Sequence, residues 1–169
     1  MNSGYLCQNA QNMIQRIQTI FLLLVIILGV AFSFVPVLEF ASMDAFYVMN
    51  AYKTVASNDV TTVIAKNMGV GTIQGIVIVL TVVIIFLFKN RQLQIKMAKL
   101  NILLIAFQIA AIVMYSDAVK AAINPNVEEV VTSFKLGALV PVVSLVLTYL
   151  SIHFIKKDEA LVKSADRLR

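Results

Sequence analysis

Cysteine, histidine and charged residues are scarce in this sequence, and each scarcity excludes a kind of protein or site. The one cysteine, Cys7, excludes an intramolecular disulfide. The one histidine, His153, is far from Cys7 in the sequence, whereas a zinc site needs a cluster of such ligands. Charged residues make up 14% of the chain, against roughly 25% in soluble domains, which argues against a water-soluble fold.

Residues that usually carry catalysis or ion transport are also missing. The sequence has no P-loop or dinucleotide fingerprint, and its long uncharged runs hold no carboxylate for a proton relay. His153 lies within one turn of Lys156 and is interpreted as a solvated helix end. Asp117, Glu128 and Glu129 are interpreted as a solvated loop rather than a weak calcium site. We therefore predict no enzyme activity, no cofactor and no metal site.

Long apolar runs dominate what is present. The chain is 60% hydrophobic, with a mean hydropathy of +0.87, and it has four runs of 17 to 22 residues without a charge. At about 1.5 Å per residue, helices of this length reach roughly 25 to 33 Å, which matches a hydrocarbon core of about 30 Å. The runs are apolar on every face, unlike the strands of a barrel. We predict an all-α membrane protein, a four-transmembrane-helix bundle.

The charges divide the chain into nine segments. The predicted segments are a polar leader at 1–16, transmembrane helices at 17–38, 67–88, 100–116 and 136–155, external loops at 39–66 and 117–135, a basic cytoplasmic loop at 89–99 and an amphipathic tail at 156–169. The third helix is the shortest. Leu93, Met97 and Leu100 continue its apolar face, which indicates that it begins before residue 100.

The basic residues predict the orientation in the membrane. The leader, the 89–99 loop and the tail hold ten basic and three acidic residues, a net charge of +7. The two external loops hold four basic and six acidic residues, a net charge of −2. By the positive-inside rule the +7 side is cytoplasmic, so both termini are predicted to be in the cytoplasm (N-in/C-in).

The first external loop carries a strand-like pattern. Aromatic and β-branched residues in FYVMNAYKTV and VTTVIA flank the turn signal Ser57-Asn58-Asp59. This pattern is compatible with a short β-hairpin or with a helical turn.

Polar and small residues inside the predicted spans are candidates for contacts between helices. Gln74, Gln108 and Asn101 are predicted to hydrogen-bond across helices rather than to bind a substrate. Gly71 and Gly75 form a small-xxx-small pair, which allows close approach of two helices.

The fourth span contains a proline that is expected to bend it. The ring of Pro141 would clash with the carbonyl of Gly137, four residues earlier, and this predicts a tolerated kink. The kink either serves helix packing or shapes a cavity near Gln74 and Gln108.

The tail, KKDEALVKSADRLR, predicts an amphipathic helix that continues the fourth span. Leu161, Ala165 and Leu168 lie on one face at i, i+4 and i+7. This apolar stripe needs cover from the membrane surface, the 89–99 loop or a partner. Together with Arg167 and Lys96 it forms the predicted partner-docking site.

Three segments resemble a known family. They are MIQRIQTIFLLLVIIL at 13–28, KNRQLQIKMAKLNILL at 89–104 and PVVSLVLTYLSIHFIKKDEALVKSADRLR at 141–169. All three resemble small four-span membrane proteins of unknown function from the Bacteroidetes lineage. The resemblance implies a bacterial inner-membrane setting and no particular activity. Family members would begin near Met13, so residues 1–12 are interpreted as an extra leader.

Two functions of different classes fit these observations. The leading hypothesis is a non-catalytic integral membrane subunit, or an assembly or scaffold factor, of a larger inner-membrane complex. Its expected partners are membrane lipids and other membrane-protein subunits, and no nucleic acid. The alternative is a small-molecule or lipid-binding, transporter-like protein with its cavity near the Pro141 kink.

Overall fold

Four long helices form most of the structure. The computed structural model describes the backbone of residues 3–42, 45–57, 62–124 and 130–167, and the side chains of residues 17–42, 45–57, 62–88, 90–124, 130–160 and 164. The helices are α1 (Ser3–Phe32), α2 (Met68–Phe86), α3 (Arg91–Ile123) and α4 (Leu136–Arg167). They pack in a ring in which α1 and α3 each lie beside α2 and α4. We call this unit the helical body.

Local signals explain the bounds of α3. Asn90 precedes the helix, and its side-chain Oδ1 accepts a hydrogen bond from the backbone N–H of Leu93 at 3.3 Å. The helix ends at Ile123, because Asn124 is followed by a proline and adopts an extended conformation. Residues 91–99 of the predicted cytoplasmic loop are therefore helical, and a short 3-10 helix, Leu87–Lys89, joins α2 to α3.

A five-stranded antiparallel sheet covers one end of the helical body. Its strands are β1 (Leu38–Ala41), β2 (Phe46–Met49), β3 (Lys53–Ala56), β4 (Val63–Lys66) and β5 (Val131–Phe134), in the order β4-β3-β2-β1-β5. The first four strands lie between α1 and α2 in the sequence, and β5 lies between α3 and α4. We call this end of the helical body the sheet end.

The prediction of an all-α, four-transmembrane-helix bundle is therefore wrong. β3 and β4 flank the predicted turn at residues 57–59 and pair antiparallel, but they are two of five strands. The pairing that the sequence did not reveal is between β1 and β5, where Leu38 lies opposite Phe134 and Ala41 opposite Val131. These strands are roughly 90 residues apart, and a local pattern carries no information on a contact at that separation.

Alternating side chains attach the sheet to the helices. Leu38 and Phe40 on β1 are buried together with Phe32 at the end of α1 and Val70 at the start of α2. Glu39, between them, points to the other face of the strand and forms an ion pair with Lys135. The apolar face of the sheet thus completes the hydrophobic core at the sheet end.

Three helical segments are long and apolar enough to cross a membrane. Among the described residues these are Met68–Phe86, Arg91–Ile123 and Leu136–Ala160. Ile17–Phe32 of α1 is a shorter apolar stretch.

Candidate functional site: a polar interior and a cleft at the basic end

The helical body buries polar side chains and exposes apolar ones. The buried polar side chains on α2, α3 and α4 are Gln74, Thr81, Gln94, Asn101, Gln108, Ser116, Ser144, Thr148, Ser151 and Asp158. Large apolar side chains such as Val79, Leu103 and Leu139 are instead 58–66% exposed. A surface of this kind is suited to contact with lipid tails, because the hydrophobic effect would otherwise draw these side chains inside.

Hydrogen bonds between α2 and α3 form a polar seam inside the helical body. Nε2 of Gln108 donates to Oε1 of Gln74 at 2.7 Å, and Nδ2 of Asn101 donates to Oγ1 of Thr81 at 3.0 Å. The three amides are the residues that the sequence indicated. Thr81 was not identified, because a helical threonine often bonds only its own backbone, as Thr81 also does with the carbonyl of Val77 at 2.7 Å.

Helix α1 approaches this polar seam closely at Gly29. A Cβ atom at Gly29 would lie 2.4 Å from Nε2 of Gln74 and 3.0 Å from Cγ1 of Ile78. Glycine therefore leaves the space that the Gln74 amide occupies. A lone glycine in an apolar run gives no sequence signal for this role.

Replacement of Gln108 by Leu is expected to lower the free energy of unfolding by about 1–2 kcal/mol, since Gln74 loses its buried partner. The double variant Q74L/Q108L should recover most of this loss, because neither helix then buries an unpaired amide at this point. Titration of the purified protein with SDS in mixed micelles measures both effects. A double variant that is no more stable than Q108L would contradict the pairing.

The two glycines of the small-xxx-small pair have different surroundings. A Cβ atom at Gly71 would lie 2.2 Å from Cε1 of Tyr52, which belongs to the segment between β2 and β3. Nothing lies within 4 Å of a Cβ atom at Gly75, which is exposed. Gly71 thus makes room for an aromatic ring from the sheet end rather than for a second helix.

Helix α4 begins in close contact with the chain that leads into β1. The backbone N–H of Gly137 donates to the carbonyl of Pro36 at 3.0 Å, and a Cβ atom at Gly137 would lie 2.5 Å from that oxygen. Pro141 is buried one turn later, inside a helix that continues to Arg167. The close approach to Pro36 explains why a glycine is needed at position 137, and the sequence did not indicate this contact.

An ion pair joins α3 to α4 at the end opposite the sheet, which we call the basic end. Nη1 of Arg91 lies 2.6 Å from Oδ2 of Asp158, whose side chain is 3% exposed. The N–H groups of Nη1 are not aligned for a hydrogen bond with Asp158, and neither Nη1 of Arg91 nor Oδ1 of Asp158 has a hydrogen-bond partner in the described part of the chain. The pair thus balances charge but leaves hydrogen-bonding capacity unused.

Two further contacts hold the helices together at the basic end. Nε2 of Gln94 on α3 donates to the carbonyl of Ile84 at 3.0 Å, which supplies a partner to a carbonyl in the last turn of α2. The rings of Phe21 and Phe154 stack between α1 and α4, with their centroids 5.5 Å apart. These contacts fix all four helices around the ion pair.

A cleft of about 780 Å³ opens beside the ion pair. Its polar lining residues are Gln18, Thr19, Arg91, Gln94 and Asp158, and its apolar lining residues are Ile20, Leu23, Leu24, Ile85 and Phe88. Ile20, Leu23 and Phe88 are 49–56% exposed, so the cleft is open to the surroundings of the helical body. The sequence did not reveal the cleft, because Arg91 and Asp158 entered the prediction only as charges of the cytoplasmic side.

The predicted partner-docking residues are described only in part. Lys96 is exposed on α3. Leu161, Ala165 and Arg167 belong to α4, but their side chains lie outside the described residues, as does all of Leu168. The apolar stripe of the tail therefore stays a prediction.

The candidates for metal binding and catalysis are described only in part. His153 is exposed, and Asp117 lies 4.0 Å from Lys120 on the same helix. Side chains of Cys7, Glu128 and Glu129 lie outside the described residues. Within the described residues no three His, Cys, Asp or Glu side chains come together as a metal site.

Comparison with known proteins identifies the family of the chain. Residues 14–168 match the family described as Domain of unknown function (DUF4293). The matched region includes the sheet, the polar seam and the cleft. No curated protein matches the chain. The prediction of a family of unknown function is confirmed, and the chain belongs to the DUF4293 family.

Proposed function

We propose that the protein is a non-catalytic integral membrane subunit or assembly factor of a larger complex in a bacterial inner membrane. The observation that carries this proposal is the continuity of α4, which runs from Leu136 beyond its apolar part, Leu136–Ala160, into the charged tail. Its 32 residues correspond to about 48 Å, against about 30 Å for a hydrocarbon core. The tail thus extends from the membrane as a helix.

The distribution of polarity supports embedding in a membrane. The interior holds hydrogen-bonded amides, whereas the outer faces of α2, α3 and α4 expose large apolar side chains. We further propose that Ile17–Phe32, a shorter apolar stretch, is a fourth crossing, as the Bacteroidetes four-span resemblance implies. The proposed orientation, with both termini in the cytoplasm, rests on the net charge of −2 in the segments at the sheet end and +7 in those at the other end.

The ion pair at the basic end supports a docking role for the tail. Asp158 lies in α4 only a few residues before Leu161, and its contact with Arg91 fixes the point at which α4 leaves the helical body. A helix held at its base loses little conformational entropy when a partner binds along it. Leu161, Ala165 and Leu168 would supply the apolar contact, with Arg167 and Lys96 beside it.

The experiment is purification of the tagged full chain in a mild detergent at native expression level, with mass spectrometry of associated proteins. We expect a stoichiometric membrane-protein partner. Deletion of 161–169 should abolish the association, because it removes the apolar stripe. The deletion retains Asp158 and therefore the ion pair with Arg91. The control K156S/K157S removes two exposed charges of the same helix and should keep the partner.

Two outcomes would overturn the proposal. If the full chain at native expression level purifies without a partner, the proposed role as a subunit or assembly factor is wrong. A partner that remains bound after deletion of 161–169 does not dock on the tail. Thermal unfolding of each variant shows whether a lost partner reflects a lost fold.

The alternative is a lipid- or small-molecule-binding protein. Its best candidate binding site is not the cavity that the sequence indicated near Gln74 and Gln108. Gln74 and Gln108 are hydrogen-bonded to each other, so Nε2 of Gln108 is already in use. The open cleft at the basic end is the better candidate for a ligand, because polar and apolar side chains both line it.

A further inference from the structure

Apolar and polar side chains both line the cleft at the basic end. The apolar lining residues, among them Leu23, Leu24 and Ile85, belong to α1 and to the end of α2, and α1 also contributes the polar Gln18 and Thr19. The polar lining also includes Arg91 at the start of α3 and Asp158 near the end of the apolar part of α4. A ligand that fills this cleft must therefore combine an apolar part with a polar head.

The polar lining contains one hydrogen-bond donor and one hydrogen-bond acceptor that are not used within the described part of the chain. Nη1 of Arg91 has no aligned hydrogen-bond acceptor, and Oδ1 of Asp158 accepts no hydrogen bond from the described part of the chain. Asp158 is nearly fully buried, so an unmade hydrogen bond there is energetically unfavourable. A bound head that accepts from Arg91 and donates to Asp158 would remove this cost.

We infer that the cleft binds one phospholipid whose head carries both a phosphate and a primary ammonium group, as in phosphatidylethanolamine. The phosphate would accept hydrogen bonds from Arg91, whose guanidinium has five N–H donors. The ammonium would donate to Oδ1 of Asp158. One acyl chain would lie along Leu23, Leu24 and Ile85.

Charge favours this head over a purely anionic one. Arg91 and Asp158 together have no net charge, so the pair offers no net attraction to a purely anionic head, whereas a zwitterionic head places each of its charges beside the opposite charge of the pair. A quaternary ammonium head has no N–H group and leaves Oδ1 of Asp158 without a donor. The pair therefore discriminates among lipids that share the same acyl chains.

The position and size of the cleft suit a lipid rather than a soluble molecule. Ile20 and Phe88 at its mouth are each 56% exposed, on the outer surface that we assign to the bilayer. The volume of about 780 Å³ lies within the range of roughly 300–1,000 Å³ that is typical of ligand sites. Lipid binding here does not require a docked partner, because the cleft is lined by residues outside the 161–169 segment.

The test is native mass spectrometry of the purified full chain in detergent with equal amounts of phosphatidylethanolamine, phosphatidylcholine and phosphatidylglycerol of identical acyl chains. We expect one retained phosphatidylethanolamine, preferred about tenfold over each of the others. The variant R91M/D158L keeps an apolar contact between α3 and α4 and should lose the preference. The control K120M/D117L removes the ion pair at the other end of α3 and should keep it.

Each other outcome overturns the assignment. Equal retention of the three lipids, or preference for the anionic one, contradicts recognition by the ion pair. An unchanged preference in R91M/D158L moves the site elsewhere, and displacement by soluble glycerophosphoethanolamine makes the occupant a soluble molecule. The variant L24W fills the apolar part of the cleft without touching the ion pair and should also release the lipid.

Discussion

Replacement of Arg91 by Met is expected to lower the free energy of unfolding by about 3 kcal/mol. The change leaves the carboxylate of Asp158 buried without its cation, which typically costs 3–5 kcal/mol. The lower end of that range applies because Arg91 itself is 23% exposed. SDS titration in mixed micelles, followed by circular dichroism, measures the loss.

Removal of both charges serves as the matched comparison. R91M/D158L replaces the pair with apolar side chains of similar size, and such exchanges are often close to neutral in stability. We expect the double variant to be more stable than R91M by about 2 kcal/mol or more. The Lys120–Asp117 pair offers a control, because Asp117 is 73% exposed and K120M should therefore change the stability by less than about 1 kcal/mol. A loss in R91M no larger than in K120M would contradict a structural role of the pair.

The second large effect is expected at Gly137. An added Cβ atom would lie 2.5 Å from the carbonyl oxygen of Pro36 and 3.0 Å from Cα of Val37. Both atoms belong to backbone that leads into β1, and the oxygen also accepts the hydrogen bond from Gly137. A side chain can adopt another rotamer to relieve a clash, but these backbone atoms cannot. G137A should therefore lower the free energy of unfolding by about 1–3 kcal/mol.

Gly75 provides the matched control for this substitution. It lies within α2, and nothing lies within 4 Å of an added Cβ atom there. G75A should therefore raise the stability by up to about 1 kcal/mol, since alanine favours the helix over glycine. Thermal unfolding of both variants by circular dichroism measures the contrast. A G137A protein as stable as G75A would show that the start of α4 does not pack tightly against Pro36.

Local sequence indicates the apolar parts of the helices but not their bounds, since α1 is Ser3–Phe32 and α3 continues to Ile123. The uncharged runs predicted apolar helices, and Met68–Phe86, Arg91–Ile123 and Leu136–Ala160 are long and apolar enough to cross a membrane. The apolar spacing of Leu93, Met97 and Leu100 also indicated that the third helix begins before residue 100. Periodicity succeeds here because a helix is formed by contacts within a few residues.

The sheet and the cleft depend on contacts between distant parts of the chain. Local pattern suggested a hairpin in one loop, but the partnership of β1 with β5 requires α1 and α4 to bring their ends together. Likewise, Arg91 and Asp158 entered the sequence prediction only as charges of the cytoplasmic side, and only the packing of α3 against α4 brings them together as an ion pair. Such contacts cannot be assigned from spacing, because the chain between them permits many arrangements.

The sequence by itself determined the apolar helices, the asymmetric charge of the connecting segments and the membership of a family of unknown function. The tertiary structure decided that the connecting segments form one sheet, and that Gln108 pairs with Gln74. It also decided that Arg91 and Asp158 form an ion pair with unused hydrogen-bonding atoms, beside a cleft that polar and apolar side chains line. The physical reason is range: hydropathy and helix formation are local properties, whereas pairing, burial and site geometry arise only when distant segments pack.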